Sequence, residues 1–119
     1  MPRLGDLERA VMEVLWAASG PLTAKDIGDA LGGDRALAVT TVLTILSRLE
    51  GKGVVIRDRD GRAHTYRAAS SREDHIAALM REALGTTPDP GAALARFVSA
   101  ATPQEAEALR RALGTPPRA

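Results

Sequence analysis

Apolar residues return along this chain in two rhythms, and each change of rhythm marks a new element. Leu7, Val11, Met12, Val14, Leu15 and Trp16 recur at helical spacing and predict a first helix from Asp6 to Ala18. Ser19-Gly20-Pro21 stops it. Thr23 is placed to cap a short second helix through Leu31, with Ile27, Ala30 and Leu31 inward. Gly32-Gly33-Asp34-Arg35 reads as a turn, and a longer third helix follows. Successive helical residues step round the axis by about 100°. That puts Val39, Val42, Ile45, Leu46 and Leu49 on one side, and Thr40, Thr41, Thr44, Ser47 and Arg48 on the other. Gly51 and Gly53 end the helix, and the pattern switches to alternation. A strand is expected from Val54 to Arg59, a hairpin turn at Asp60-Gly61, and a return strand from Arg62 to Arg67.

Helical spacing resumes at Ser70. Ser70-Ser71-Arg72-Glu73 fits a capping box, and Ile76, Leu79, Met80 and Leu84 stripe the helix that Gly85 closes. Asp89-Pro90 restarts the chain as N-cap and first helical residue, with Leu94, Phe97 and Val98 apolar. Thr102-Pro103-Gln104-Glu105 is a second capping box, followed by Leu109 and Leu113 and closed by Gly114. Residues 115–119 read as a frayed tail. These stripes are thin and make a weak core against one another. They make a better one against the same helices of a second chain, so a symmetric dimer is expected. Leu79, Leu94, Phe97, Val98, Leu109 and Leu113 would form its interface. The expected fold is mainly α with a small β-hairpin. A winged helix-turn-helix would span 1–69 and a C-terminal helical dimerisation region 70–119.

Size and composition narrow the function. A chain of 119 residues buries one modest core. It has no cysteine, which removes disulfides and Cys-based metal or redox chemistry and fits a reducing compartment. No apolar run reaches the length of a membrane span, and Met1-Pro2-Arg3-Leu4-Gly5-Asp6 lacks the core of a secretory signal. The cytoplasm is the expected location. Glu8, Glu13, Asp26 and Asp29 read as solvated helix positions without the pattern of a paired acid and base. With two distant histidines, no phosphate-binding glycine loop and no nucleophile motif, neither a metal, a cofactor nor an enzyme is expected. Trp16 reads as a core anchor.

Net charge is +1 and gives no argument for nucleic acid, but its distribution does. Between Ser47 and Arg67, Arg48, Lys52, Arg57, Arg59, Arg62 and Arg67 face only Glu50, Asp58 and Asp60. The excess is local to the third helix and the hairpin. Thr is a middling helix former, so a Thr-rich outer face is an odd choice for solubility alone. Thr and Ser reach phosphates, base edges and thymine methyls at close approach. Thr40, Thr41, Thr44, Ser47 and Arg48 are therefore the candidate major-groove residues. Arg59 and Arg62 are the candidate phosphate or minor-groove contacts, with protection of the hairpin edge as a second role. His64 fits either a DNA contact or a plain hairpin position, and His75 an exposed or interfacial one. A winged helix used as a protein-interaction module, without sequence-specific DNA binding, is the alternative.

Several blocks resemble a known family. Leu4-Gly5-Asp6-Leu7-Glu8 with Val11-Met12-Glu13-Val14-Leu15-Trp16 is similar to the opening of penicillinase repressors, the BlaI, MecI and CopY relatives. The segment from Thr40 to Leu49 resembles their recognition helix, and Lys52-Gly53 with Gly61-Arg62-Ala63-His64-Thr65-Tyr66 their wing. The likeness runs on through the Ser70 helix to Phe97 and Leu109-Arg110-Arg111-Ala112-Leu113, with actinobacterial BlaI-like members most in view. The resemblance implies a homodimeric repressor on an inverted repeat of TACA/TGTA kind. It would control β-lactam, cell-wall-related or own-operon genes. It also implies release through a membrane metallopeptidase signal that leads to cleavage near Arg96-Phe97, where Arg96 replaces the staphylococcal Asn. Val39 stands where an aromatic residue is usual, and the Cys-rich tail of copper-responsive relatives is absent.

Overall fold

The computed structural model describes residues 4–32 and 37–114, apart from the side chain of Asp60. Within them lie helices α1 (Asp6–Ala17), α2 (Ala24–Leu31) and α3 (Val39–Gly51), then strands β1 (Val55–Asp60) and β2 (Ala63–Ala68). Helices α4 (Arg72–Leu84), α5 (Pro90–Ser99) and α6 (Pro103–Gly114) complete the chain. It divides into two compact units, Met1–Leu79 and Met80–Ala119. Most of the turn expected at 32–35, and the tail at 115–119, lie outside the described residues.

The first unit holds the core. Val11, Met12 and Leu15 of α1, Ala24 and Ile27 of α2, and Val42, Ile45, Leu46 and Leu49 of α3 pack with Val54, Val55 and Tyr66. Thr23 and Asp26 form a reciprocal capping box at the start of α2: each backbone N–H donates to the other's side-chain oxygen at 3.1 Å. The inner face of α2 starts one turn earlier than expected, at Ala24 and Ile27, and Ala30 is exposed. A Cβ at Gly28 would stand 3.3 Å from the Leu37 carbonyl oxygen, so the missing side chain lets the approach to α3 pass close by. Val39 corrects the helical-wheel expectation, being 43% exposed. It is the first residue of α3, at the rim of the apolar stripe and beyond the edge of the core.

The end of α3 is tightly built. Gly53 takes φ +79°, its N–H donates to Glu50 O at 3.0 Å, and Val54 N–H donates to Leu49 O at 3.1 Å. That pair of bonds is a Schellman closure, with its usual apolar contact supplied by buried Leu49 and Val54. The hairpin begins at once. Its register pairs Asp60 with Ala63, so the two-residue turn is Gly61-Arg62 rather than Asp60-Gly61. Gly61 has φ +65° and Arg62 does not share the positive sign, the II′ pattern that places Gly first. The sheet gains a third short member: Leu22 N–H donates to Tyr66 O at 3.0 Å, and Tyr66 N–H to Leu22 O at 2.7 Å.

The start of α4 is bound to α1. Ser71, not Ser70, is the cap, its Oγ accepting from Asp74 N at 3.0 Å. Arg72 makes a two-pronged pair with Glu13, at 2.6 Å and 3.3 Å, and its guanidinium lies 5.6 Å over the Trp16 ring. Trp16 Nε1–H donates to Ser70 O at 3.1 Å, and its ring stands 5.4 Å from that of His75. His75 is buried, at 2% exposure, which corrects its expected surface position. The acids expected in solvent also find partners: Glu8 Oε1 lies 2.8 Å from Lys52 Nζ, and Asp29 pairs with Lys25 on the surface.

In the second unit, Asp89 Oδ1 caps α5 by accepting from Ala92 N, and Thr102 and Glu105 form the expected reciprocal box before α6. Neither helix has a fully buried residue.

Two consequences are measurable. An alanine at Gly53 meets no neighbouring atom, so Gly53→Ala should cost only the backbone penalty of positive φ, about 1 kcal/mol in urea unfolding. Burial, and then the nearby positive charge of Arg9, hold the His75 imidazole below its ordinary 6.5. The unfolded chain therefore binds the extra proton, and stability should decline as pH falls through about 6.5. His75→Leu should flatten that part of the profile. Glu8, lowered by Lys52 and then by the Gly5 N–H, should lose its contribution only below about 4.5.

Candidate nucleic-acid interface

Because Val42, Ile45, Leu46 and Leu49 are pinned inward, the opposite side of α3 has no freedom but to face out. Thr40, Thr41, Thr44, Ser47 and Arg48 are all exposed there. Ala38 at the N-cap has no side-chain oxygen, so no side-chain cap occupies the N–H groups of the first turn. Thr44 donates its hydroxyl to Thr40 O at 3.1 Å, which spends the proton on the helix itself and leaves the methyl free.

The hairpin adds charge beside this face. Arg57 and Arg59 share one side of β1 with Val55, opposite Tyr66 and His64 of β2. That side is buried at Val55 and Tyr66 and exposed at Arg59 and His64, so it passes from core to wing along one strand. Arg62 sits in the turn, exposed.

Ion pairing then sorts the cations. Lys52 is tied to Glu8, Arg57 lies 3.5 Å from Glu50, and Arg67 lies 3.0 Å from Asp58. Among the described residues, Arg48, Arg59 and Arg62 form no salt bridge, although the charge of Arg48 reaches Glu8 and helps to lower its pKa, and Arg59 Nε donates to Gly61 O at 3.4 Å. Half of the basic residues that drew attention in the sequence are thus paired with carboxylates, two of them at the surface. The other three lie on the outer face of α3 and on the wing. The sequence hinted at this through the interleaved Glu50 and Asp58 but did not say which arginine each would take.

The apolar residues read as interfacial are spread over the last three helices. Leu79 and Leu109 are half-buried. Leu94, Phe97, Val98 and Leu113 are exposed, Leu113 by 85%. Arg96 and Phe97 lie in the last turns of α5. One exposed apolar residue escaped the sequence reading: Leu43 stands on the outward side of α3, 42% exposed. Its only sequence signal was a leucine off the inner stripe. Among the described residues no three His, Cys, Asp or Glu side chains gather to hold a metal, and no helix is long and apolar enough to cross a membrane.

Residues 4–115 match the family described as penicillinase repressor. The chain is 47% identical over 116 residues to the transcriptional regulator BlaI of Mycobacterium tuberculosis, covering 95% of this chain and 84% of that protein. Among solved structures it is similar to a MarR family protein from Bacillus stearothermophilus, with TM-score 0.53 and 20% identity over 94% of this chain and 71% of that one. It is also similar to S. aureus MepR in a complex with DNA, with TM-score 0.53 and 22% identity over 81% and 79%. At those identities the two structures speak for the shared fold.

Proposed function

The chain belongs to the penicillinase-repressor family, and from that premise we propose a homodimeric repressor that binds an inverted-repeat operator. It is a transcriptional regulator, not an enzyme. The observation that carries the reading is the sorting of charge: among the described residues Arg48, Arg59 and Arg62 form no salt bridge, while Lys52, Arg57 and Arg67 do, and an outward Thr/Ser face accompanies them. Thr40, Thr41, Thr44, Ser47 and Arg48 enter the major groove, and Arg59 and Arg62 hold the wing to the backbone. The winged helix occupies 1–69 and the dimerisation region 70–119, where Leu79, Leu94, Phe97, Val98, Leu109 and Leu113 meet their counterparts. Exposed Leu94, Phe97 and Val98 support that reading, since an apolar helix face left in water is unfavourable.

The repressor acts in the cytoplasm on β-lactam, cell-wall-related or own-operon genes. A membrane metallopeptidase sensor is its indirect partner, and cleavage at Arg96-Phe97 would cut α5 and release the operator.

Arg62→Ala should weaken binding evenly across sequences and reduce the slope of log affinity against log salt by about one. Fluorescence anisotropy across a salt series on the protein's own promoter measures it, and a loss confined to one base position would contradict the phosphate role. Phe97→Ala should move the dimer toward monomer in analytical ultracentrifugation. An unchanged dimer would place Phe97 outside the interface.

A further inference from the structure

We infer that Leu43 reads thymine in the operator through its C5-methyl group, a role that rests on the DNA-binding reading above. The buried direction of α3 is fixed by Val42, Ile45, Leu46 and Leu49. Opposite it, Thr40, Ser47 and Thr44 form the central outward stripe. Leu43 and Arg48 flank that stripe on opposite sides, each about 70° from its centre. The two flanks differ in chemistry. Arg48 offers a charged fork, whereas Leu43 is an isobutyl group 42% exposed to water.

Val39, one turn earlier and 43% exposed, extends the same apolar edge. The hydroxyl proton of Thr44 is already spent on Thr40 O, so the outward face is more apolar than its residue names suggest.

An apolar strip that borders the hydroxyl stripe, with Arg48 on the far flank of that stripe, suits a polyanion with an apolar group at its surface. In the major groove the apolar group that a base pair presents is the thymine methyl. Leu43 thus supplies discrimination for T over C at the positions it covers, a task that phosphate-binding arginines cannot perform.

The test uses the full chain and a duplex selected from a random-sequence pool by the wild-type protein. Each thymine is replaced in turn by deoxyuridine, which removes the methyl and leaves the hydrogen-bonding edge intact. Wild type should weaken about fourfold at the thymines Leu43 covers, the equivalent of one buried methyl group. Leu43→Ala should show no loss at those positions, and Leu43→Met, which keeps an apolar tip, should retain it. Both variants replace an exposed side chain and should melt with wild type. Equal methyl dependence in wild type and Leu43→Ala would overturn the assignment, as would wild-type binding indifferent to every thymine methyl. Failure to enrich any sequence would overturn the DNA-binding reading as well, so the two failures are distinct.

Discussion

Val42, Ile45, Leu46 and Leu49 are held against the apolar faces of α1 and α2, and the orientation of every exposed group on α3 follows from that seam. Each of these side chains is worth roughly 1.5–3 kcal/mol when fully buried. Turning the helix by one residue would expose part of this set and bury hydroxyls without partners, so the outward face cannot drift. Gly28 lets the chain approach α3 closely, and the Leu49–Val54 closure carries the constraint from helix to hairpin. The outward face of α3 is therefore the negative image of the core.

Electrostatics in the first unit act by subtraction. Glu8, Glu50 and Asp58 each take one cation of the basic segment. Partly exposed pairs of this kind add little stability, and their larger effect is to decide which charges remain available. The second unit has a different economy. Its helices are well capped, by Asp89 and by Thr102 with Glu105, yet α5 and α6 bury no residue completely. Local hydrogen bonding specifies these helices while their own packing leaves apolar surface in water.

Much of this was legible in the sequence. The helical period found α1, α2 and α3, and the caps at Thr23, Asp89 and Thr102 fell where short polar side chains precede apolar stripes. What the period missed has identifiable causes. Val39 fits the inner stripe by angle but lies at its rim, and angle carries no information on where a core ends. Asp60-Gly61 and Gly61-Arg62 are both plausible turns, and only the strand register chooses between them. Ser70 and Ser71 compete for one cap. His75 looks like a surface residue until Trp16 covers it, and the bridge of Leu22 to Tyr66 joins segments with no local signal for pairing. The outward Thr/Ser face was readable because periodicity reports direction. The pairing of each arginine was not, because it depends on contacts distant along the chain.

The closure at Gly53 has an implication for how such proteins diversify. With Gly53 and Val54 donating back to Glu50 and Leu49, and β1 starting at Val55, no slack separates the helix from the hairpin. The span from the outward stripe to the wing tip works as a gauge of set length. An insertion at this corner would throw wing and helix out of step, whereas substitutions on the outward face leave the gauge untouched. The outward face can therefore change one side chain at a time, on a scaffold whose dimensions descend unchanged.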